Sequence, residues 1–300
     1  MSLSLASRKS WFEATARARI AGLLDAGSFH EILPPAEFQP SPHLAQLDLP
    51  GAFDDGVAIG CGQLEKRSVF IAAQEGQFMG GAVGEIHGAK ITGLLRRAAK
   101  EKPAAVIFLI DSGGVRLHEA NAGLIAISEI MRAVLDARAA GVPVIALVGG
   151  SCGAFGGMGI VAKLCSAIII SEEGRLALSG PEVIETVAGV EEFDSKDRAL
   201  VWRVTGGKHR YLMGDCAVLV EDDIPAFRAG AAELLATWKE PEPGVAQLRA
   251  RQKTLENRLA TYANFRDGLQ VWAALGVAQP ETVPMIDRDS LVALKEGLPS

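Results

Sequence analysis

Two stretches decide the fold: Ala104-Ala-Val-Ile-Phe-Leu-Ile-Asp-Ser-Gly-Gly-Val-Arg (104–116) and Pro143-Val-Ile-Ala-Leu-Val-Gly-Gly-Ser-Cys-Gly-Ala-Phe-Gly-Gly (143–157). Each joins a short, continuous apolar run to a glycine-rich turn. Such runs read as strands buried on both faces, the signature of a parallel sheet. Between them, residues 121–140 place Leu124, Ile127, Met131 and Leu135 at helical spacing, which predicts a helix with that face inward. A second helix is expected over 156–164 and a third strand over 166–171. Strand–helix–strand–helix–strand, with right-handed crossovers, gives parallel strands. Both glycine turns then sit at strand carboxyl ends on one edge, where open α/β sheets bind ligands.

Upstream, Ser10-Trp11-Phe12-Glu13 has the form of a capping box and predicts a helix to about Asp25, stopped by Gly27. Pro34, Pro35, Pro40, Pro42 and Pro50 mark an irregular segment. Short strands are expected at 57–60, 67–73 and 77–83, then a helix over 86–100 burying Ile91, Leu94 and Leu95. Downstream, helices are expected over 194–205 and 223–238. Glu240-Pro241-Glu242-Pro243-Gly244 reads as a linker or corner. Beyond it, Val245, Leu248, Leu255, Leu259 and Tyr262 form a narrow apolar stripe with Gln252 in the seam, a face that wants a partner from this chain or another. The expected units are a lead-in over 1–55, a core over 56–239 and a helical C-terminal arm over 240–300.

Composition narrows the function. Apolar residues make up 49% of 300 and charged residues 22%, which excludes an intrinsically disordered chain. The formal net charge of −6 gives a nucleic-acid partner no electrostatic support. No apolar run reaches about 18 residues, so no membrane helix is expected. The short polar start does not read as a secretory signal. Cys61, Cys152, Cys165 and Cys216 never form a C-x-x-C pair, so a zinc ribbon is excluded and a reduced, cytoplasmic protein is expected.

Glycine turns before helices expose main-chain N–H groups, and the helix dipole adds positive character. The first such nest is Gly113-Gly114-Val115 and the second Gly153-Ala154-Phe155-Gly156-Gly157. Two nests on one edge can converge on a single oxygen, the geometry of an oxyanion hole. The bland alternative is tight turns and close helix packing. Neither turn is a phosphate fingerprint, and Gly80-Gly81-Ala82-Val83-Gly84 lacks the context of a dinucleotide site. Cys152 beside Ser151 has no histidine at convincing distance and reads as a small apolar residue rather than a nucleophile. His118 and Glu119 either exchange a proton or cap a helix. Glu182 and Glu185 read first as the opening turn of a helix after Pro181. Arg96, Arg97 and Lys100 read as a solvated helix end, and His30, His43 and His209 as structural or surface residues.

The residues as a set resemble the crotonase-fold carboxyltransferase family, which includes acetyl-CoA carboxylase beta subunits, propionyl-CoA carboxylase beta chains and acyl-CoA decarboxylase subunits. The resemblance rests on R-I-A-G-L-L-D-A-G-S-F-H-E-I (19–32), F-M-G-G-A-V-G-E-I-H-G-A-K-I (78–91), D-S-G-G-V-R-L-H-E (111–119), G-G-S-C-G-A-F (149–155), S-G-P-E-V-I-E (179–185) and G-D-C-A-V-L-V (214–220). Two features depart from the family: the four-cysteine ribbon of bacterial carboxylase beta subunits is absent, and Glu182 stands where an arginine often follows Gly-Pro. The chain's length, Asp54-Asp55-Gly56-Val57 and its C-terminal arm most resemble the beta subunits of biotin-independent malonate decarboxylases.

The resemblance implies an α/β fold: a crotonase-like ββα superhelix with mostly parallel sheets, flanking helices and the helical C-terminal arm. It implies decarboxylation of a malonyl thioester, carried on the phosphopantetheine-type arm of an acyl carrier protein, to an acetyl thioester and CO2. The alternative is the carboxyltransferase subunit of a biotin-dependent acyl-CoA carboxylase. It places the oxyanion hole on the main chain of Gly113, Gly114, Val115, Gly153, Ala154 and Gly156. Arg116, His118, Ser151, Cys152, Phe155 and Glu182 are expected to line the substrate. Water, His118, Glu119 and Ser151 stand open as the proton source. No metal or bound organic cofactor is expected. The implied partners are a homologous gamma subunit, the carrier protein and its acyl transferase subunit, in a hetero-oligomer without nucleic acid or membrane.

Overall fold

The structure, a computed structural model, describes residues 9–37, 41, 45–46, 55–239, 241 and 244–298. Most of the proline-rich segment, Asp54 and most of the 240–244 corner lie outside the described residues. One seven-stranded sheet organises the chain, with strands in sequence order. They are β1 His30–Ile32, β2 Val57–Leu64, β3 Arg67–Gln74, β4 Ala105–Ile110, β5 Val144–Val148, β6 Ala167–Ser171 and β7 Val218–Val220. The first three pair antiparallel and β3 to β7 pair parallel.

Crossovers between the parallel strands are α2 Glu85–Glu101, α3 Asn121–Ala139 and α4 Gly156–Leu164. Side chains alternate across the sheet, so Val106, Phe108 and Ile110 of β4 join the core beneath these helices. Ala105, Ile107 and Leu109 join the opposite core. That second core is closed by α1 Ala16–Leu23, α8 Ile224–Thr237 and Trp11, whose ring stacks on Phe227 at 4.0 Å. Burial on both faces is what the continuous apolar runs encode.

Between β6 and α8 lie α5 Pro181–Ala188, α6 Arg198–Thr205 and α7 Gly207–Leu212. The C-terminal arm supplies α9 Val245–Tyr262, α10 Gly268–Ala274 and α11 Arg288–Glu296. Trp272, Val283 and Leu291 sink into the main core, whereas α9 buries none of its residues. Arg258 holds α9 to the body through the Asp215 carboxylate, 3.1 Å away, and the Met213 carbonyl.

Four expectations are corrected. The first helix begins at Ala16 with Thr15 as N-cap, not at Ser10. Ser10 does accept the Glu13 N–H, but its hydroxyl donates to Asp222 and residues 11–13 form a turn. Residues 77–83 are not a strand. Gly80 and Gly81 both sit at φ +65°, and a Cβ on Gly81 falls 1.8 Å from the Asp111 carbonyl oxygen. The helix expected over 194–205 starts at Arg198, capped by Asp197. On α3, Ile127 is buried but Leu124 and Leu135 are about half exposed. The buried face is instead Gly123, Ala126, Ile127, Ile130, Ala133, Val134 and Ala137. Small residues let α3 approach α2 closely: a Cβ on Gly88 meets the Ala126 Cβ at 2.4 Å.

Candidate active site

Both glycine turns leave the same edge of the sheet and meet. Ser112 bridges to Ala154, and the Phe155 N–H donates to the Ser112 carbonyl at 3.0 Å. Further along, the two backbones lie against each other: a Cβ on Gly114 would stand 3.4 Å from Gly156 Cα, and one on Gly156 3.3 Å from Gly114 Cα. Both glycines have positive φ, +127° and +55°. Side chains are disfavoured there by conformation, and a Cβ would press on the opposing backbone.

Hydrogen bonding separates the expected donors. Gly113 N–H donates to the Gly80 carbonyl at 2.9 Å, and Gly114 N–H to Ser112 Oγ at 3.1 Å. Gly153, Ala154 and Gly156 N–H donate to the carbonyls of Gly150, Arg175 and Leu178. Those five amides are spent on building the loops, so they are not the free donors expected of them. The N–H groups of Val115 and Gly157 have no partner among the described residues. Each directly follows a glycine at the contact point. Gly157 also lies in the first turn of α4, where the helix dipole adds positive potential.

The side chains expected around the substrate divide. His118, Ser151 and Glu182 are exposed, Cys152 is partly buried, and Phe155 is buried as the N-cap residue of α4. Arg116 is corrected. It is 1% exposed, with Nη1 on Glu119 Oε1 at 2.7 Å and Nη2 on the Asp55 and Ala82 carbonyls. It braces the first loop instead of facing ligand. Glu119 is likewise committed, to Arg116 and to the Glu85 N–H at 2.6 Å. Burial raises the Cys152 thiol above its ordinary pKa, with the Asp111 charge adding to it, the opposite of an activated nucleophile.

Two residues escaped the sequence reading. The Asp111 carboxylate accepts the Cys152 N–H at 2.7 Å and pairs with Arg19 at 2.8 Å. Arg175 donates to the Ser151 carbonyl, and its guanidinium lies over the rings of Phe155 and Trp202 at 5.6 and 5.0 Å. Asp111 stood inside a quoted motif, but its partners Cys152 and Arg19 lie 41 and 92 residues away in the chain. A cleft of about 260 Å³, lined by Phe12, Glu13, Arg19, Glu75, Asp111 and Ser151, opens behind the second loop. Among the described residues no His, Cys, Asp and Glu group is arranged to hold a metal ion. No helix of the described residues is long and apolar enough to cross a membrane.

Comparisons with known proteins agree with this architecture. The chain is 40% identical to the malonyl-S-ACP:biotin-protein carboxyltransferase MADC of Malonomonas rubra, over 97% of this chain and 96% of that protein. It is 38% identical to a putative propionyl-CoA carboxylase beta chain of Bacillus subtilis, over 64% of this chain but 36% of that longer protein. A crystal structure of a Pseudomonas malonate decarboxylase hetero-tetramer in complex with malonate superposes with TM-score 0.81 at 39% identity, over 88% of this chain and 96% of that one. The MdcD–MdcE hetero-dimer of Pseudomonas malonate decarboxylase gives 0.68 at 36% identity, covering 86% of this chain and 100% of that one. The carboxyl transferase domain model matches residues 12–255, which take in the whole sheet and both touching loops, and the chain belongs to that family.

Proposed function

We propose that this chain is a carboxy-lyase subunit that decarboxylates a malonyl thioester to an acetyl thioester. The observation that carries the reading is the main-chain contact between Gly114 and Gly156, with the unpartnered Val115 and Gly157 amides beside it. Similarity to MADC and to Pseudomonas malonate decarboxylase supports the malonyl group as substrate.

The chemistry follows from charge. When the bond between C2 and the carboxylate breaks, its electron pair moves into the thioester carbonyl and CO2 leaves. The enolate oxygen then carries the charge. Two fixed N–H donors stabilise it with no reorganisation during the step, and one such donor contributes about 3 kcal/mol. A proton then returns to C2. Glu119 is buried against Arg116, which leaves water, His118 or Ser151 as its source.

The acyl group arrives on the phosphopantetheine-type arm of a carrier protein loaded by an acyl transferase subunit, in the cytoplasm. A homologous gamma subunit completes the cleft. Leu117, Leu178 and Val187, 80%, 66% and 83% exposed near or downstream of the loops, give that subunit an apolar surface to cover. The relatives' hetero-dimeric and hetero-tetrameric assemblies support such pairing.

The name of MADC favours a second fate for the carboxyl group, transfer to a biotin protein. One experiment separates the two: CO2 release from a malonyl thioester by the chain with its partner subunit, with and without a biotinylated acceptor. Release without biotin supports direct decarboxylation. Strict dependence on the acceptor replaces it by transfer, and no turnover of malonyl thioesters under either condition refutes both.

A further inference from the structure

The Arg19–Asp111 pair has no part in the reaction as derived. Both residues are buried, at 1% and 2% exposure, and only their edges reach the cleft behind the second loop. Arg19 Nη1 donates to Asp111 Oδ2 at 2.8 Å, Nε to the Trp11 carbonyl at 2.8 Å and Nη2 to the Phe12 carbonyl at 3.3 Å. The second carboxylate oxygen accepts the Cys152 N–H. Space is reserved for this carboxylate. A Cβ on Gly150 would lie 2.1 Å from its Cγ, and one on Gly76 2.7 Å from Oδ2. The next residue, Ser112, donates its N–H to the Gly153 carbonyl at 2.7 Å and accepts the Phe155 N–H. One carboxylate therefore ties α1, the end of β4 and the second loop together.

A buried ion pair is by itself weak evidence for a stabilising role. Desolvating two charges offsets most of their attraction, and a well-packed apolar replacement is often as stable. What an apolar residue lacks is an acceptor for Cys152. We propose that Asp111, held by Arg19, is a positioning residue that fixes the second loop against the first and so sets the spacing of the Val115 and Gly157 amides. This rests on the decarboxylase reading.

The charged and titratable groups facing Asp111 are Arg19 from α1, Glu75 after β3, and Cys152 and Arg175 around the second loop. Burial raises the Asp111 carboxyl above its ordinary value, and Arg19 opposes the rise. Removing Arg19 therefore lets the carboxyl protonate at higher pH, and the protonated group is a poorer acceptor for the Cys152 N–H.

The test uses the full chain assembled with its partner subunit, malonyl-pantetheine as probe and CO2 release as readout, with folding checked by thermal unfolding. Asp111→Asn is expected to lower kcat by about 30-fold or more, the scale of a misplaced oxyanion donor, with KM within about threefold. Arg19→Gln is expected to lower kcat and move the acid limb of its pH profile upward, a limb that Asp111→Asn lacks. A parent assembly that never turns over the probe defeats the decarboxylase reading itself. A folded Asp111→Asn assembly with parental kcat, or an Arg19→Gln profile identical to the parent's, overturns the positioning role. If Asp111→Asn does not fold, Arg19→Lys decides. It keeps the charge but not the fork: lower kcat at unchanged KM supports the role, and parental kcat overturns it.

Discussion

Replacing Gly156 by alanine tests the contact between the loops directly. At φ +55° an alanine sits in the left-handed region, which costs about 1–2 kcal/mol. Its Cβ would stand 3.3 Å from Gly114 Cα, tight enough that the opposing backbone must yield by a few tenths of an ångström. That backbone is held by the Val83 N–H on the Gly114 carbonyl at 2.9 Å and by Ser112 Oγ on the Gly114 N–H. The loss is small against the roughly 5–15 kcal/mol of a typical domain, so Gly156→Ala is expected to fold, with Tm lowered by about 2–4 °C per kcal/mol. Activity is expected to fall far more. Misaligning one oxyanion donor lowers kcat by up to about 100- to 1,000-fold, and we expect at least about tenfold. Thermal unfolding and CO2 release from a malonyl thioester measure the two effects on the same preparation. A variant with parental kcat and a lowered Tm would show that the contact serves packing alone. Gly93→Ala in α2 is the control: its Cβ meets nothing within 4 Å, so Tm is expected to rise by the equivalent of about 0.5–1 kcal/mol with kcat unchanged.

Glu119→Ala strands the Arg116 guanidinium in the interior and is expected to cost about 3–5 kcal/mol in denaturant unfolding, with Glu119→Gln losing less. Burial holds His87 and His209 down to about pKa 3, so between that value and the ordinary 6.5 the unfolded chain binds protons that the native chain does not. Stability is therefore expected to rise with pH over that window. Replacing either histidine with an uncharged residue is expected to flatten the slope by about 1.4 kcal/mol per pH unit, read from unfolding midpoints. Burial pushes the Asp215 carboxyl up, but Lys163, Arg210 and Arg258 outweigh it and bring it to about 2. The stability it contributes is full above about pH 4 and is lost as pH falls toward 2. Arg258→Ala is expected to narrow that window and to loosen α9, read as faster amide exchange along the helix.

The centre of the sheet was legible because β4, β5 and β6 are buried on both faces and spell that burial as unbroken apolar runs. The helices between them were legible to within a residue or two for the same reason. The buried face of α3 was not. Leucines dominate a periodicity reading, yet Gly123, Ala126, Ala133 and Ala137 make up much of the buried face, and at Ala126 the contribution is close approach to Gly88 of α2 rather than apolar area. The turn at 77–83 was misread because alternation carries no record of backbone handedness at Gly80 and Gly81. At the site, the meeting of two glycine loops followed from topology. Which amides remain free did not: carbonyls of Gly80, Arg175 and Leu178, brought in from elsewhere in the chain, take the N–H groups of Gly113, Ala154 and Gly156, while Ser112 Oγ and the Gly150 carbonyl take those of Gly114 and Gly153.

The touching glycines have an evolutionary consequence. The element that would carry the developing charge is polypeptide backbone, so it has no side-chain identity to drift. Exposed residues such as Leu117 and Leu178 are free to be rewritten for a different acyl group or a different neighbour while the electrostatics pass down intact. The same arrangement makes Gly114 and Gly156 brittle, since any side chain there strains the backbone that supplies the electrostatics.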